Sequence, residues 1–162
     1  MRLDKFLTVT ATATRSESKK AARAGAVTVN GVAVRDTSVQ IDEGNDKVTF
    51  RGVPVVYRKF TYIMMNKPMD YISSTDDPRK KTVLELLPEN LRRLGLFPCG
   101  RLDIDTTGLL ILTNNGQLAH RLLSPKYHVD KTYFFTCSPP VSREQADRLE
   151  EGVDIGEKAF TK

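Results

Sequence analysis

The sequence predicts an α+β protein in which a small N-terminal α/β domain precedes a larger sheet-containing one. Three observations carry that reading. The first third combines apolar residues at helical spacing with a hairpin signal. Residues 1–59 carry eleven Lys/Arg against six Asp/Glu, whereas residues 60–162 carry fourteen of each, so the whole net charge of +5 sits in that third. Beyond it, apolar strand-like runs alternate with polar loops and short helical stretches. The boundary falls near residues 57–60, giving domains 1–58 and 59–162.

In chain order, Leu3, Phe6 and Leu7 repeat as one face of a helix. Ser16 is placed as the cap of a second helix running from Glu17 to Ala24, with Gly25 just past its end. On that helix Arg15, Lys19 and Arg23 recur every four residues and would form one basic ridge. Asn30-Gly31 between alternating apolar residues signals a tight hairpin over Val27–Val34. Gly52–Phe60 reads as a strand end and a linker. A strand follows over Thr61–Met65, closing at Asn66-Lys67-Pro68. A polar loop, Ser73–Pro78, leads to a short helix at Val83–Leu87. Leu109–Leu112 reads as a buried strand, Asn114-Asn115-Gly116 as a turn and Gln117–Leu123 as a helix. Lys131–Thr136 suits a strand, and Ser142 caps a last helix beginning at Arg143.

Composition narrows the function classes. With 40% apolar and 28% charged residues the chain should be globular and soluble. It has no apolar run near the length that crosses a bilayer and no signal-peptide core, so no membrane partner is expected. Cys99 and Cys137 form no paired motif, which disfavours a disulfide framework and fits a reducing, cytoplasmic setting. With only His120 and His128 besides, no metal site is expected. Phosphate binding is an electrostatic task, so the basic first third is the candidate nucleic-acid contact; a merely solvated basic surface is the alternative.

The segment Gly100-Arg101-Leu102-Asp103-Ile104-Asp105-Thr106-Thr107-Gly108 is a polar loop entering a buried strand. It offers two carboxylates, and a carboxylate in a cleft can act as nucleophile or general base. Arg101 beside it would favour the ionised form. Residue types alone leave a structural reading open, since Asp and Thr in loops commonly cap turns.

Two resemblances give these residues meaning. Arg2-Leu3-Asp4-Lys5-Phe6-Leu7, Thr14-Arg15-Ser16-Glu17-Ser18-Lys19-Lys20 and Arg23-Ala24-Gly25-Ala26-Val27-Thr28-Val29-Asn30-Gly31 together resemble the S-four-type RNA-binding domain, over about residues 1–50. In that family the basic helix and the hairpin face structured RNA. The resemblance implies RNA contacts from Arg15, Ser16, Lys19, Lys20 and Arg23, with Ser16 equally readable as a cap.

Gly100-Arg101-Leu102-Asp103 followed by Thr107-Gly108, with Gly116-Gln117, His120-Arg121, Ser124-Pro125 and Lys131-Thr132-Tyr133, is similar to the signature of pseudouridine synthases. The branch it most resembles is the ribosomal small-subunit pseudouridine synthase A family, which implies a catalytic domain built on a mixed or antiparallel sheet. The resemblance implies conversion of a specific uridine to pseudouridine in ribosomal RNA, in the small subunit first and the large subunit as the alternative. It implies no cofactor; a monomer is expected. Asp103 would be the nucleophile, attacking either the ribose or the base, or instead removing a ribose proton. Asp105 is its rival. Tyr133 would stack on the base and help take the proton from its carbon 5, and Arg101 would prop the space left by the flipped base. Lys131, two residues before Tyr133 on the expected strand, would face Asp103 or a phosphate. Lys67 belongs to a second family motif and is taken as a substrate contact. That motif usually carries glycine where Asp70 stands here, which leaves its tight turn open.

Relatives of this kind continue past the position where this sequence stops at Lys162, into a segment that closes the cleft. The chain is therefore expected to be an N-terminal part of such a domain, weakly active or inactive alone. A non-catalytic RNA-binding protein and a ribosome-assembly factor remain the other classes. A glycosidase-like hydrolase is disfavoured because it needs a pair of well-placed acids.

Overall fold

The computed structural model describes residues Met1–Val153 and divides the chain into two compact units, Met1–Val129 and a second beginning at Asp130. The first unit opens with helix α1, Leu3–Val9, whose Leu3, Phe6 and Leu7 are buried as their spacing predicts. Arg2 at its cap offers no side-chain acceptor. The first amides are satisfied by backbone instead: Leu3 donates to the carbonyl of Val39 and Asp4 to that of Thr37, both at 2.9 Å.

Helix α2, Arg15–Arg23, corrects the expected cap. Thr14, not Ser16, is the N-cap: its hydroxyl accepts from the amide of Glu17 at 3.2 Å, and the Glu17 carboxylate accepts from the amide of Thr14 at 2.7 Å. Thr14-x-x-Glu17 is the reciprocal capping-box spacing, which Ser16 cannot make because it stands inside the first turn. The Thr14 amide and hydroxyl hold the Glu17 carboxyl below its ordinary range. Gly25 ends the helix with φ +74°, as a residue without a Cβ permits.

Four antiparallel strands complete this part: β1 Val27–Val29, β2 Val32–Ala33, β3 Val48–Phe50 and β4 Val53–Val55, in the order β2-β1-β3-β4. Asn30 and Gly31, at φ 52° and 82°, form the expected hairpin turn. Arg51 and Gly52, at φ 51° and 79°, form a second one. The region read as a strand end and linker therefore supplies the second strand of a hairpin, Val53–Val55, paired with Val48–Phe50. The sheet and both helices enclose Leu3, Phe6, Leu7, Ala22, Val27 and Val48. Each large side chain so buried contributes roughly 1.5–3 kcal/mol.

A second antiparallel sheet has the order β5-β7-β6, with β5 Tyr62–Lys67, β6 Phe97–Cys99 and β7 Gly108–Thr113. Ile63 pairs with Leu112 and Met65 with Leu110, and this face packs on Val83, Leu87 and Leu96. On the other face Met64 is 81% and Leu109 65% exposed. The strand at 109–112 is thus covered on one side only, not buried throughout, as alternation in a one-sided sheet requires. Val83–Leu86 forms a 3₁₀ turn whose Thr82 and Glu85 close another capping box. Helix α3, Glu89–Arg92, and strand β6 are additions to the expected order. Asn115 is a helix cap rather than a turn residue, its side chain accepting from Leu118 at the start of helix α4, Gly116–Leu123.

In the second unit the expected strand Lys131–Thr136 is not formed; these residues are exposed and without regular structure. Aromatic and β-branched residues favour a strand only where a neighbour pairs with it, and no described strand pairs with this segment. Helix α5, Arg143–Glu151, is capped by Ser142 as expected, with Gln145 completing the box.

The two hydroxyls before α2 make a direct test. Thr14→Ala should lower unfolding free energy by about 1 kcal/mol. Ser16→Ala should change it by less than about 0.5 kcal/mol. Denaturant titration of both variants measures this, and equal losses would contradict the assigned cap.

Candidate active site

The loop between β6 and β7 carries the candidate carboxylates, and its backbone is held from several sides. The Ser73 hydroxyl donates to the carbonyl of Leu102 at 2.9 Å and accepts from the Leu102 amide at 3.0 Å. The Thr106 amide donates back to the Asp103 carbonyl at 3.1 Å, closing a turn over 103–106. The Asp70 amide donates to the Ile104 carbonyl at 2.9 Å.

The strongest tether is Lys67, at the end of β5. It is 0% exposed, and its ammonium donates to the carbonyls of Asp103 and Thr106 at 2.8 Å, Pro68 at 3.1 Å and Ile104 at 3.3 Å. No carboxylate reaches it within ion-pair distance among the described residues. A buried ammonium needs compensation, and carbonyl oxygens of the loop supply it. Lys67, expected as a substrate contact, has its donors on carbonyls inside the protein, because the strand directs the side chain into the interior rather than to solvent. Asp70 makes the turn that the missing glycine had left open. It sits at φ 68°, a region that Asp tolerates better than most side chains.

Held this way, Asp103 and Asp105 line an open cleft of about 830 Å³ together with Ser73, Asp77, Lys80 and Arg101. Both carboxylates are exposed, and neither makes a side-chain hydrogen bond or ion pair among the described residues. Arg101 shares the cleft without an ion pair to Asp103. Asp77 is spent locally: it accepts from the amides of Arg79 and Lys80, both at 2.8 Å, which hold its carboxyl below the ordinary range. Among the described residues no group of three or more His, Cys, Asp or Glu could hold a metal.

The other expected site residues lie elsewhere. Arg15, Ser16, Lys19, Lys20 and Arg23 are all exposed on α2, while Ser18, Ala21 and Ala22 face the core. Lys131 and Tyr133 belong to the second unit. Tyr133 is 61% exposed, and without a strand the shared face expected for the pair is not made. The residue that sequence reasoning missed is Ser73. In a run of Ser, Thr and Asp it reads as solvent-facing, and nothing local reveals its bond to a residue 29 positions away.

Residues 61–160 match the family model described as RNA pseudouridylate synthase, and residues 1–48 match the S4 domain model. This chain belongs to the RNA pseudouridylate synthase family. It is 49% identical over 155 residues to the uncharacterized RNA pseudouridine synthase YtzG of Bacillus subtilis, covering 96% of this chain and 65% of that protein. It is 40% identical over 164 residues to the ribosomal small subunit pseudouridine synthase A of Escherichia coli strain K12, covering 100% of this chain and 70% of that one. A crystal structure of a pseudouridylate synthase matches with a TM-score of 0.54 at 36% identity, covering 100% of this chain and 70% of that one. The chain thus spans about two thirds of the length of these relatives. The chain carries the α+β organisation expected, with the S4 match at residues 1–48 ahead of helices and an antiparallel sheet in the part that matches the synthase model.

Within this synthase domain Lys67→Met would keep the length of the side chain and remove the donors. Unfolding free energy should fall by about 2–4 kcal/mol, because loop carbonyls lose charged partners. A fall below about 0.5 kcal/mol in denaturant titration would show that the tether is not stabilising.

Proposed function

We propose that this protein isomerises a specific uridine to pseudouridine in ribosomal RNA, with small-subunit RNA as its substrate and Asp103 as the nucleophile. The observation that carries this reading is an unengaged carboxylate displayed on a pinned loop. Lys67 and Ser73 fix the backbone on either side of Asp103, while its side chain is left free of partners among the described residues. Such a group is poised to react without first breaking a structural bond. In the reaction the uracil–ribose bond breaks, the base turns over, the ribose rejoins at carbon 5, and that carbon's proton is lost. Whether Asp103 attacks ribose or base, or takes a ribose proton, the carboxylate must be ionised and close to the glycosidic bond. The target uridine must leave its stack to reach it.

On this reading residues 1–58 grip structured RNA through Arg15, Lys19, Lys20 and Arg23, with Ser16 beside them, and residues 59–162 present the nucleophile. Arg101 fills the space vacated by the base. Tyr133 stacks on the uracil and assists loss of the carbon 5 proton, and Lys131 neutralises a nearby phosphate. The protein works as a cytoplasmic monomer without a cofactor. No helix among the described residues is long and apolar enough to cross a membrane.

The test is tritium release by the protein from small-subunit RNA labelled at uridine carbon 5. Asp103→Asn should lower the rate by about 10³-fold or more. Asp105→Asn should stay within about tenfold of the parent. Undiminished release by Asp103→Asn, or equal loss in both variants, would overturn the assignment.

A further inference from the structure

We propose that Arg79-Lys80-Lys81 forms a basic lip of the cleft that receives the RNA phosphodiester backbone next to the nucleotide entering it. The proposal rests on the reading that RNA enters this cleft, and adds a binding element outside the basic first domain.

The electrostatic problem comes first. Besides Asp77, which is held by its own backbone, the cleft displays two carboxylates without hydrogen-bond partners, Asp103 and Asp105, with no cation paired to either among the described residues. A polyanion approaching them is repelled. Residues 60–162 carry equal numbers of acidic and basic groups, so no overall field draws RNA to this half. Attraction must come from a local arrangement of cations.

Residues 79–81 supply one. All three side chains are exposed, and none makes an ion pair among the described residues. Lys80 lines the cleft with Asp103 and Arg101. Lys80 and Arg101 form no ion pair with Asp103, Asp105 or Asp77, the third carboxylate of the cleft, which leaves both cations for a ligand.

The segment is also fixed at both ends. At its start the Asp77 carboxylate accepts from the amides of Arg79 and Lys80, so the loop's nearest acid is turned onto its own backbone. At its end the Ile72 amide donates to the Lys81 carbonyl at 2.9 Å, and the Val83 amide donates to the Ile72 carbonyl at 3.1 Å. The Lys81 ammonium lies 6.0 Å from the centre of the Tyr71 ring, a cation–π contact. Ile72 adjoins Ser73, the residue that clamps Leu102. The lip and the nucleophile's loop are therefore anchored to neighbouring residues of one backbone, and their separation is set by the fold. A preorganised pair of this kind loses little entropy when a phosphate arrives.

The experiment uses the protein and fluorescently labelled small-subunit ribosomal RNA. Binding is measured by anisotropy across a salt series, in an Asp103→Asn background so that turnover plays no part. Replacing Arg79, Lys80 and Lys81 by Gln together should reduce the slope of log affinity against log salt by about 1–2, the release expected from one or two phosphates. Lys80→Arg should retain the parent slope. In the Asp103 protein the triple variant should lose about tenfold in kcat/KM, carried by KM. An unchanged salt slope would overturn the proposal, as would a loss carried by kcat alone. Because the binding arm needs no isomerisation, failure of the lip and failure of the catalytic reading give different results.

Discussion

The buried ammonium of Lys67 is the interaction on which the rest of the site depends. Removing a cation from water is expensive, and no carboxylate repays it here within ion-pair distance among the described residues. Loop carbonyls do so, and in doing so they fix the path of the chain from Asp103 to Thr106. The cation stands at the end of β5, where Lys67 pairs with Gly108 at the first position of β7. The strand register therefore sets the position of the ammonium, and the ammonium sets the loop that feeds the same strand. Gly108, at φ +132°, gives the backbone a conformation that a side chain would resist just where the loop becomes strand.

This arrangement separates the groups that hold from the groups that act. Lys67 and Ser73 satisfy their polar atoms within the protein, and Asp77 spends its carboxylate on adjacent amides. Asp103, Asp105, Arg101 and Lys80 remain unpaired in the cleft among the described residues. Stability alone would favour pairing opposite charges that share a space. Their separation leaves charge available for an RNA strand that brings phosphates and a displaced base. The first domain follows the same division: Ser18, Ala21 and Ala22 of α2 face the core while Arg15, Lys19 and Arg23 face solvent.

Much of the fold was legible from residues whose preferences are local. Asn30-Gly31 takes up the two positive φ angles of a tight hairpin almost regardless of context, and Ser142 caps its helix because Gln145 completes the box. The motif around Asp103 marked the loop that the fold displays. What stayed hidden depends on distant partners. Thr14 and Ser16 both carry a hydroxyl, and only the reach of Glu17 decides between them. Lys67 reads as a surface cation until carbonyls from 36 to 39 positions away are seen to surround its ammonium. Ser73 has no signal at all without Leu102. Tyr133, Phe134 and Phe135 have strong strand preference, yet preference without a pairing neighbour yields no strand.

Hydrogen exchange measured residue by residue, in the parent and in Lys67→Met, tests the central claim most directly. The amides of Asp70 and Thr106 donate to carbonyls of the loop that Lys67 holds. If the ammonium organises that loop, both amides lose their protection in the variant, while amides within β5 and β7 remain protected. Protection at Asp70 and Thr106 equal to that of the parent would contradict the account, because the loop would then hold its shape without the cation.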